Sequence, residues 1–178
     1  MTLITAFEPF GGSEKNYSML ALDLIEESDD LRKALIPVEY RRSYEALKNI
    51  LAEGDYDSII LVGQAGARSK VTIEKIAINW ASATIPDNGG LLLHGEKLLE
   101  DGPDGIFSTV DVTDVVDTLI AKGFDAAVSY SAGTYVCNAL YYQTLVENPG
   151  KKVVFVHVPA KDEGNSAAIL QEVISQLS

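Results

Sequence analysis

Residues 126–143 read AAVSYSAGTYVCNALYYQ and contain the only cysteine of the chain, Cys137. The apolar run that ends at Tyr130 predicts a short strand, which the turn containing Gly133 brings to an end. Apolar side chains then recur every three to four residues, which is the spacing of an amphipathic helix. The pattern therefore predicts a strand, a glycine turn and a helix, with Cys137 in the first turn of that helix.

The predicted location of Cys137 favours a reactive thiol. Unpaired backbone N–H groups and the positive end of the helix dipole stabilise an anion there, so we expect the pKa of the thiol to be lowered. The alternative is that Cys137 is a small buried apolar side chain, as most free cysteines are. The side chains that the fold brings to Cys137 decide between the two interpretations.

Length and composition limit the class of protein. The 178 residues, 47% of them hydrophobic, suit one globular domain over residues 1–178. With one cysteine no internal disulfide can form, and no basic segment followed by a long apolar run begins the sequence, so we expect a cytoplasmic protein. The net charge of -12 argues against nucleic acid and acidic membranes as partners.

Neither a metal nor an organic cofactor is indicated. Only two histidines, His94 and His157, accompany the single cysteine, which is too few for a typical zinc site. The glycine-containing loop after the apolar run at 59–62 lacks the spacings that bind dinucleotides or nucleoside triphosphates. We therefore expect a protein that works without a cofactor and without a metal.

Strand and helix patterns alternate along the chain. Apolar runs predict strands, and periodic patterns predict helices between them; the strands are expected at 3–6, 34–39, 58–63, 71–80, 126–130 and 153–158, and the helices at 19–25, 43–51, 112–121, 136–144 and 166–177. This alternation predicts an α/β protein in which helices cover both faces of a mixed, mainly parallel sheet. Residues 84–105 form a long, turn-rich connection of the kind that often serves as a lid or binding loop.

Two further residues lie where a ligand is expected to bind. Alternation along 71–80 sets Glu74 on a largely apolar face, where a carboxylate must be paired or protonated, unless the strand is an exposed edge. His157 lies near the carboxyl end of the last strand, although a lone histidine there is often a satisfied core residue. Together with Cys137 they comprise the nucleophile, the base and the orienting carboxylate of covalent acyl transfer.

The loop after the first strand, Phe7-Glu8-Pro9-Phe10-Gly11-Gly12, contains two phenylalanines, Phe7 and Phe10. They either cap the core or form the walls of a small apolar pocket. Asn16 follows this loop and either caps the next helix or directs its amide to a ligand. The residues alone do not separate these alternatives.

The chain resembles the pyroglutamyl peptidase I (pyrrolidone-carboxylate peptidase) family of cysteine peptidases. The resemblance extends over nearly the whole chain and rests on short segments that occur in the family's order. These segments are FEPFGG (7–12), VGQAG (62–66), IPDN (85–88), DGP (101–103), SYSAGTYVCN (129–138) and VHVP (156–159).

This resemblance implies the removal of an N-terminal pyroglutamyl residue from peptides, by a phosphorylase/hydrolase-like three-layer α/β/α protein that is usually a homotetramer. It implies that Cys137 is the nucleophile, that His157 is its general base and acid, and that Glu74 orients the imidazole. It also places eight residues at the substrate: Phe7, Phe10, Asn16, Val38, Gln64, Ile85, Tyr135 and Val136.

Three places depart from the family pattern: the loop from Gly89 to Asp101 and the tail after Pro159 look shorter or altered, and one residue differs. The family commonly has an arginine directly before Ile-Pro-Asp-Asn, where it is thought to help the oxyanion site, and this chain has Thr84. Arg68, in the loop after the strand at 58–63, is a basic candidate, but in the family an arginine there coexists with the missing one. Two alternatives therefore accompany the peptidase: a weakly active or inactive paralogue that binds pyroglutamyl-like ligands as a scaffold, and a related amidase with the same triad.

Overall fold

The computed structural model describes residues 1–178, and strands and helices alternate along them. In chain order these elements are β1 (Thr2–Phe7), α1 (Tyr17–Asp23), β2 (Leu31–Ile36), α2 (Ser43–Leu51), β3 (Ser58–Gln64), β4 (Val71–Glu74), β5 (Ile76–Ile78), β6 (Ala81–Ser82), β7 (His94–Glu96), β8 (Gly105–Phe107), α3 (Val112–Ala121), β9 (Ala126–Ser129), α4 (Val136–Glu147), β10 (Lys152–Val158) and α5 (Glu163–Leu177).

Six strands form one sheet in the order β2-β1-β3-β10-β4-β9. All neighbouring pairs are parallel except β10 with β4, which is antiparallel. The other four strands form two small two-stranded sheets, β5 with β8 and β6 with β7. The predicted mixed, mainly parallel sheet is therefore confirmed.

The two faces of the main sheet carry separate apolar cores. In β3, Ile60 and Val62 belong to one core, whereas Ile59 and Leu61 belong to the other. Side chains of α1, α3 and α5 complete the first core, and those of α2 and α4 complete the second. Burial of alternate residues on both faces requires this arrangement, so the three-layer α/β/α architecture is confirmed.

The carboxyl ends of β1, β3 and β10 lie at the same edge of the sheet because these strands are parallel. They end at Phe7, Gln64 and Val158. The turn before α4 contains Gly133 with φ of 79°, a left-handed conformation that glycine adopts at little cost. In a sheet of this kind, ligands bind at the edge where the parallel strands end.

The prediction of one strand over 71–80 is wrong. The main sheet keeps β4 only as far as Glu74, and Ile76 and Ile78 pair with β8 in a separate sheet. The break falls at Lys75, whose N–H donates to the Ser129 carbonyl and whose carbonyl accepts from Ser108 N–H. Glu74 therefore does not share its sheet face with Ile76 and Ile78.

Two other predicted boundaries shift. The strand expected at 34–39 runs instead from Leu31 to Ile36, and it stops before Pro37, which has no N–H for a ladder. The connection at 84–105 is not wholly irregular, because β7 within it pairs with β6. None of the helices combines the length and the hydrophobicity needed to cross a membrane.

Candidate active site

A small, mainly apolar cavity of about 170 Å³ lies at the carboxyl edge of the sheet. Nine residues line it: Phe7, Phe10, Asn16, Val38, Gln64, Ala132, Tyr135, Cys137 and His157. A larger depression of about 420 Å³ lies around Met1 and Ser178 at the opposite end of the sheet, away from these groups. The only thiol of the chain and a buried imidazole thus share one cavity.

The thiol of Cys137 lies against the end of β3, in the first turn of α4. A Cβ atom added to Gly63 would lie 2.9 Å from the sulfur and 2.9 Å from the ring of Phe155. In the ladder between β3 and β10, Gly63 is the partner of His157. Because Gly63 has no side chain, the thiol has space beside β10, the strand that carries His157. The sequence pattern did not predict this role of Gly63.

His157 and Glu74 form a buried pair. The Nδ1 atom of His157 lies 2.7 Å from Oε1 of Glu74, and the two residues are 4% and 0% exposed. Since a carboxylate accepts, we assign the Nδ1 proton to the imidazole, which leaves Nε2 as the acceptor. Nε2 makes no hydrogen bond within the protein, and no hydrogen bond joins the thiol to His157.

Arg68 is the third member of this buried group. Its Nη1 donates to Oε1 of Glu74 at 2.6 Å and to the hydroxyl of Thr72, and its Nη2 donates to the Ser131 carbonyl at 2.8 Å. The other oxygen of Glu74, Oε2, is buried and has no partner. Arg68 is thus committed to the carboxylate; the signal in the sequence was a buried acid that needed a cation, with an arginine six residues before it.

The pKa of the Cys137 thiol is raised, so the expected lowering by the helix N-terminus is wrong. Burial is the largest cause and the charge of Glu74 adds to it, whereas the backbone N–H of Cys137 and the charge of Arg68 oppose it. Burial also lowers the pKa of His157, although its hydrogen bond to Glu74 acts in the opposite direction. In the free protein at neutral pH, the thiol therefore keeps its proton and the imidazole is neutral.

Aromatic rings form one wall of the cavity. The ring centroids of Phe10 and Tyr135 are 6.2 Å apart, and Tyr40 packs edge-on against Tyr135 at 5.6 Å. Phe7 packs on Phe155 deeper in the core, with centroids 6.5 Å apart. These contacts give a wall of fixed shape that presents few polar atoms to a ligand.

The side-chain amides of Asn16 and Gln64 differ in whether an atom remains without a hydrogen-bond partner in the protein. Asn16 caps α1: its Oδ1 accepts from the N–H and hydroxyl of Ser18, and its Nδ2 donates to the Glu8 carbonyl. The Oε1 of Gln64 accepts from Tyr17 N–H at 2.7 Å, whereas its Nε2 has no partner in the protein. Gln64 is therefore the side chain with an amide donor free to meet a ligand in the cavity.

Six of the eight residues expected at the substrate line the cavity, and two do not. Ile85 is 43% exposed and lies in a neighbouring depression with Thr84 and Tyr135. Val136 is fully buried in the core under α4, because its side chain points to the sheet. Ala132 lines the cavity without having been singled out from the sequence.

The segment 86–91 is bonded to several parts of the cavity wall. Asp87 accepts from Tyr40 N–H, and Asn88 donates through its side chain to the Pro9 carbonyl. The hydroxyl of Tyr135 donates to the Pro86 carbonyl at 3.0 Å. This part of the long connection is therefore held in place beside the aromatic wall.

No group of three or more histidine, cysteine, aspartate or glutamate side chains is placed to hold a metal ion. For chemistry the site offers a thiol and a neutral imidazole that line the same cavity. The imidazole is oriented by a carboxylate, and the carboxylate is paired with an arginine. These are the kinds of group that covalent acyl transfer uses.

Comparison with known proteins identifies relatives over the full length of the fold. A family model described as pyroglutamyl peptidase matches residues 1–169. The pyrrolidone-carboxylate peptidase of Thermococcus onnurineus is 38% identical over 184 aligned positions, which cover 97% of this chain and 92% of that protein. The protein of the same name from Thermococcus kodakarensis is 39% identical over 168 positions, covering 90% and 82%.

Solved structures give the same result for the backbone. The crystal structure of pyrrolidone carboxyl peptidase from Thermus thermophilus matches with a TM-score of 0.93 and 31% identity, covering 99% of this chain and 100% of that one. Pyroglutamyl peptidase I from Bacillus amyloliquefaciens matches with a TM-score of 0.90 and 29% identity, covering 99% and 95%.

Proposed function

Because this chain belongs to the pyroglutamyl peptidase family of hydrolases, we propose that it removes the N-terminal pyroglutamyl residue from peptides through a Cys137-His157-Glu74 triad. The observation that carries the proposal is the buried 2.7 Å hydrogen bond between His157 and Glu74, at the wall of the cavity that holds the sole cysteine. The substrates in this proposal are small peptides that begin with pyroglutamate. As in the expectation from the sequence, the proposal includes a homo-oligomer, a cytoplasmic location and no cofactor.

The proposed reaction begins with a neutral pair of groups. Nε2 of His157 accepts the thiol proton while the sulfur of Cys137 bonds to the carbonyl carbon of the pyroglutamyl residue. The carbon–nitrogen bond then breaks, and the imidazolium returns its proton to the departing amine, which leaves a thioester. Water, deprotonated by His157, attacks the thioester, and the products are free pyroglutamate and the restored thiol.

Glu74 keeps its charge throughout this cycle. Its carboxylate accepts from Nδ1 and stabilises the imidazolium that forms when the thiol is deprotonated. The raised pKa of Cys137 and the lowered pKa of His157 mean that little ion pair exists before the substrate arrives. Charge separation therefore accompanies attack on the carbonyl.

The oxyanion is assigned to backbone N–H groups at the start of α4. No side chain caps this helix, so the amides of its first turn, including that of Cys137, are not taken up by a capping group. Arg68 is bonded to Glu74, and Thr84 carries no charge. The transition state is thus stabilised without a guanidinium, which predicts a slow enzyme.

The cavity suits a compact, neutral lactam ring. Phe10 and Tyr135 provide apolar walls, and Nε2 of Gln64 provides one free donor for a ring carbonyl. A charged N-terminal residue would have to lose its hydration without gaining a partner of opposite charge in this lining. We therefore assign specificity to shape and to the single amide donor.

A fluorogenic pyroglutamyl amide tests the proposal. The wild-type chain, under reducing conditions, is expected to release the fluorophore from this substrate and not from the matching alanyl or prolyl amide. The variants Cys137→Ser and His157→Gln are expected to lose this activity while they keep the wild-type unfolding midpoint. If the wild type releases no fluorophore while a known pyroglutamyl peptidase does, the proposed activity is wrong.

A second candidate is a binding protein that retains the cavity but has little turnover. Two observations favour it: the uncharged Thr84 stands in the depression beside the cavity where the family commonly has an arginine, and the pKa of the thiol is raised. Calorimetric binding of pyroglutamate without hydrolysis of any pyroglutamyl amide would support it. Hydrolysis of other amides, but not of the pyroglutamyl one, would instead indicate a related amidase.

A further inference from the structure

Arg68 connects three parts of the site that come from different elements. One of its nitrogens bonds Glu74 at the end of β4, and the other bonds the carbonyl of Ser131 in the turn that precedes α4. Its own backbone N–H donates to the Ala65 carbonyl, so the arginine starts from a closed turn after β3. A single guanidinium thus joins the carboxylate of the triad to the turn that leads into the cysteine helix.

The contacts of Glu74 show that Arg68 helps to orient its carboxylate. Its Oε1 accepts from both Arg68 and His157, whereas its Oε2 is buried without any partner. The direction of the carboxylate therefore depends on two donors that meet at one oxygen. Without Arg68, a fully buried carboxylate would keep one donor and no cation, which is unfavourable for an ionised group.

We propose that Arg68 is a positioning residue of the proposed hydrolysis: it holds the ionised Glu74 against His157 and fixes the turn before the cysteine helix. The expected change in kcat rests on the proposed function, whereas the expected change in the pH dependence of thiol alkylation does not. Arg68 touches neither the thiol nor the substrate in this assignment and acts through Glu74 and Ser131. The planar fork of the guanidinium is suited to two acceptors in different directions, which the single nitrogen of a lysine cannot reproduce.

The charge of Arg68 also bears on the thiol. The ionisable groups around Cys137 are Glu74 on β4, His157 on β10, Arg68 in the turn, and the phenols of Tyr40 and Tyr135. Arg68 is the permanent cation among them, and it lowers the pKa of Cys137 against the opposing charge of Glu74. Loss of this cation is expected to make the thiol harder to ionise.

The test compares Arg68→Met and Arg68→Lys with a matched control, Arg32→Met. Arg32 forms an ion pair of the same length, 2.6 Å, with Glu53 at the amino end of the sheet. Each protein is assayed for kcat and KM on the pyroglutamyl amide and for the pH dependence of alkylation by iodoacetamide. Because Cys137 is the only cysteine, alkylation reports this thiol alone and does not depend on hydrolysis.

For Arg68→Met we expect kcat to fall about 100-fold with KM changed little, because a displaced catalytic group costs about this much. Its alkylation profile is expected to move to higher pH. Arg68→Lys should keep most of the alkylation profile, because it keeps the charge, but recover only part of kcat. Arg32→Met should match the wild type in both assays. Wild-type kcat and an unmoved alkylation profile in Arg68→Met would overturn the proposal.

A double variant keeps the test decisive if Arg68→Met alone fails to fold. Glu74→Gln removes the buried charge, so in that background Arg68→Met is expected to cost little further activity. Its alkylation profile should still move to higher pH, because the direct effect of the Arg68 charge on the thiol is lost. An equal additional loss of activity there would show that Arg68 does not act through Glu74 and would contradict the proposal. If the wild type hydrolyses no pyroglutamyl amide, the proposed function fails, while the alkylation profiles still decide the role of Arg68.

Discussion

Two ion pairs of equal length, at opposite ends of the same sheet, have very different surroundings. Arg32 meets Glu53 at 2.6 Å, with 39% and 57% of their side chains exposed, whereas Arg68 meets Glu74 at 2.6 Å, with 25% and 0% exposed. Water screens the first pair, and such surface pairs contribute little to stability. The carboxylate of the second pair is fully enclosed and is shared with His157, so loss of Arg68 leaves a buried carboxylate without its counter-charge. Burial, and not distance, distinguishes the two pairs, and only the buried pair belongs to the proposed active site.

The largest effect is expected for removal of the buried carboxylate. Glu74→Gln should lower kcat/KM for the pyroglutamyl amide by about 10³-fold to 10⁴-fold, because an amide neither stabilises the imidazolium nor enforces its tautomer. Glu53→Gln, the same substitution in the exposed pair, should leave kcat/KM unchanged. Similar losses in the two variants, or less than a tenfold loss in Glu74→Gln, would show that burial does not separate the two pairs.

The next effect concerns the space in which the thiol lies. Gly63→Ala places a Cβ atom 2.9 Å from the sulfur of Cys137 and from the ring of Phe155, so one of them must move. A displaced nucleophile is expected to lower kcat/KM about 100-fold. The matched control is Gly66→Ala, whose new Cβ atom has an ordinary 3.8 Å contact with Ala160 and should change little. Equal kinetics in the two variants would mean that the thiol is not confined by β3.

A smaller effect, in the opposite direction, is expected at Thr84, which lies in the depression that neighbours the cavity and shares Tyr135 with it. Thr84→Arg should raise kcat about tenfold if the guanidinium reaches the developing oxyanion, because a preorganised donor stabilises that charge. Thr84→Met adds length without charge and serves as the control. An unchanged or lower kcat in a folded Thr84→Arg variant would show that backbone N–H groups already suffice or that the segment 84–91 directs the side chain elsewhere.

The smallest effect is a pH dependence of the free energy of unfolding, which we expect from His157 beside the buried ion pair. The pKa of His157 lies below its ordinary value of 6.5 because of burial, so the unfolded chain takes up a proton first as the pH falls. The stability associated with neutral His157 is complete above pH 6.5 and is lost progressively below it, on the order of 1 kcal/mol for each unit of pKa shift. Denaturation at pH 7.5 and 5.5 should show a larger loss in the wild type than in His157→Gln, and equal losses would contradict this account.

The sequence predicted the parts of the site that depend on local pattern. The glycine turn and the periodicity after it placed Cys137 in the first turn of a helix. Of the two alternatives left open for Glu74, a buried or an exposed carboxylate, the structure shows the buried one. The apolar run of 59–62 identified a central buried strand, and the alternation of strand and helix patterns predicted the class of the sheet. These inferences need only a few neighbouring residues, and all of them agree with the structure.

The parts that failed depend on residues far apart in the chain. The strand at 71–80 breaks because Lys75 bonds Ser129 and Ser108, which no local pattern shows. The predicted direction of the Cys137 pKa shift was wrong, because burial by other elements raises this pKa more than the helix N-terminus lowers it. The pairing of Arg68 with Glu74 was likewise not predicted, because the turn after β3 and strand β4 together bring the two side chains into contact. Local pattern thus predicts where a group lies, and packing decides its charge.

The most direct test of the central claim is a crystal structure of the protein with a pyroglutamyl aldehyde, in which the thiol can add to the carbonyl group. We expect a bond between the sulfur of Cys137 and the former aldehyde carbon, the lactam ring between Phe10 and Tyr135, and a hydrogen bond from Nε2 of Gln64 to the ring carbonyl. A ring bound outside this cavity, or an aldehyde that stays unreacted within it, would contradict the account.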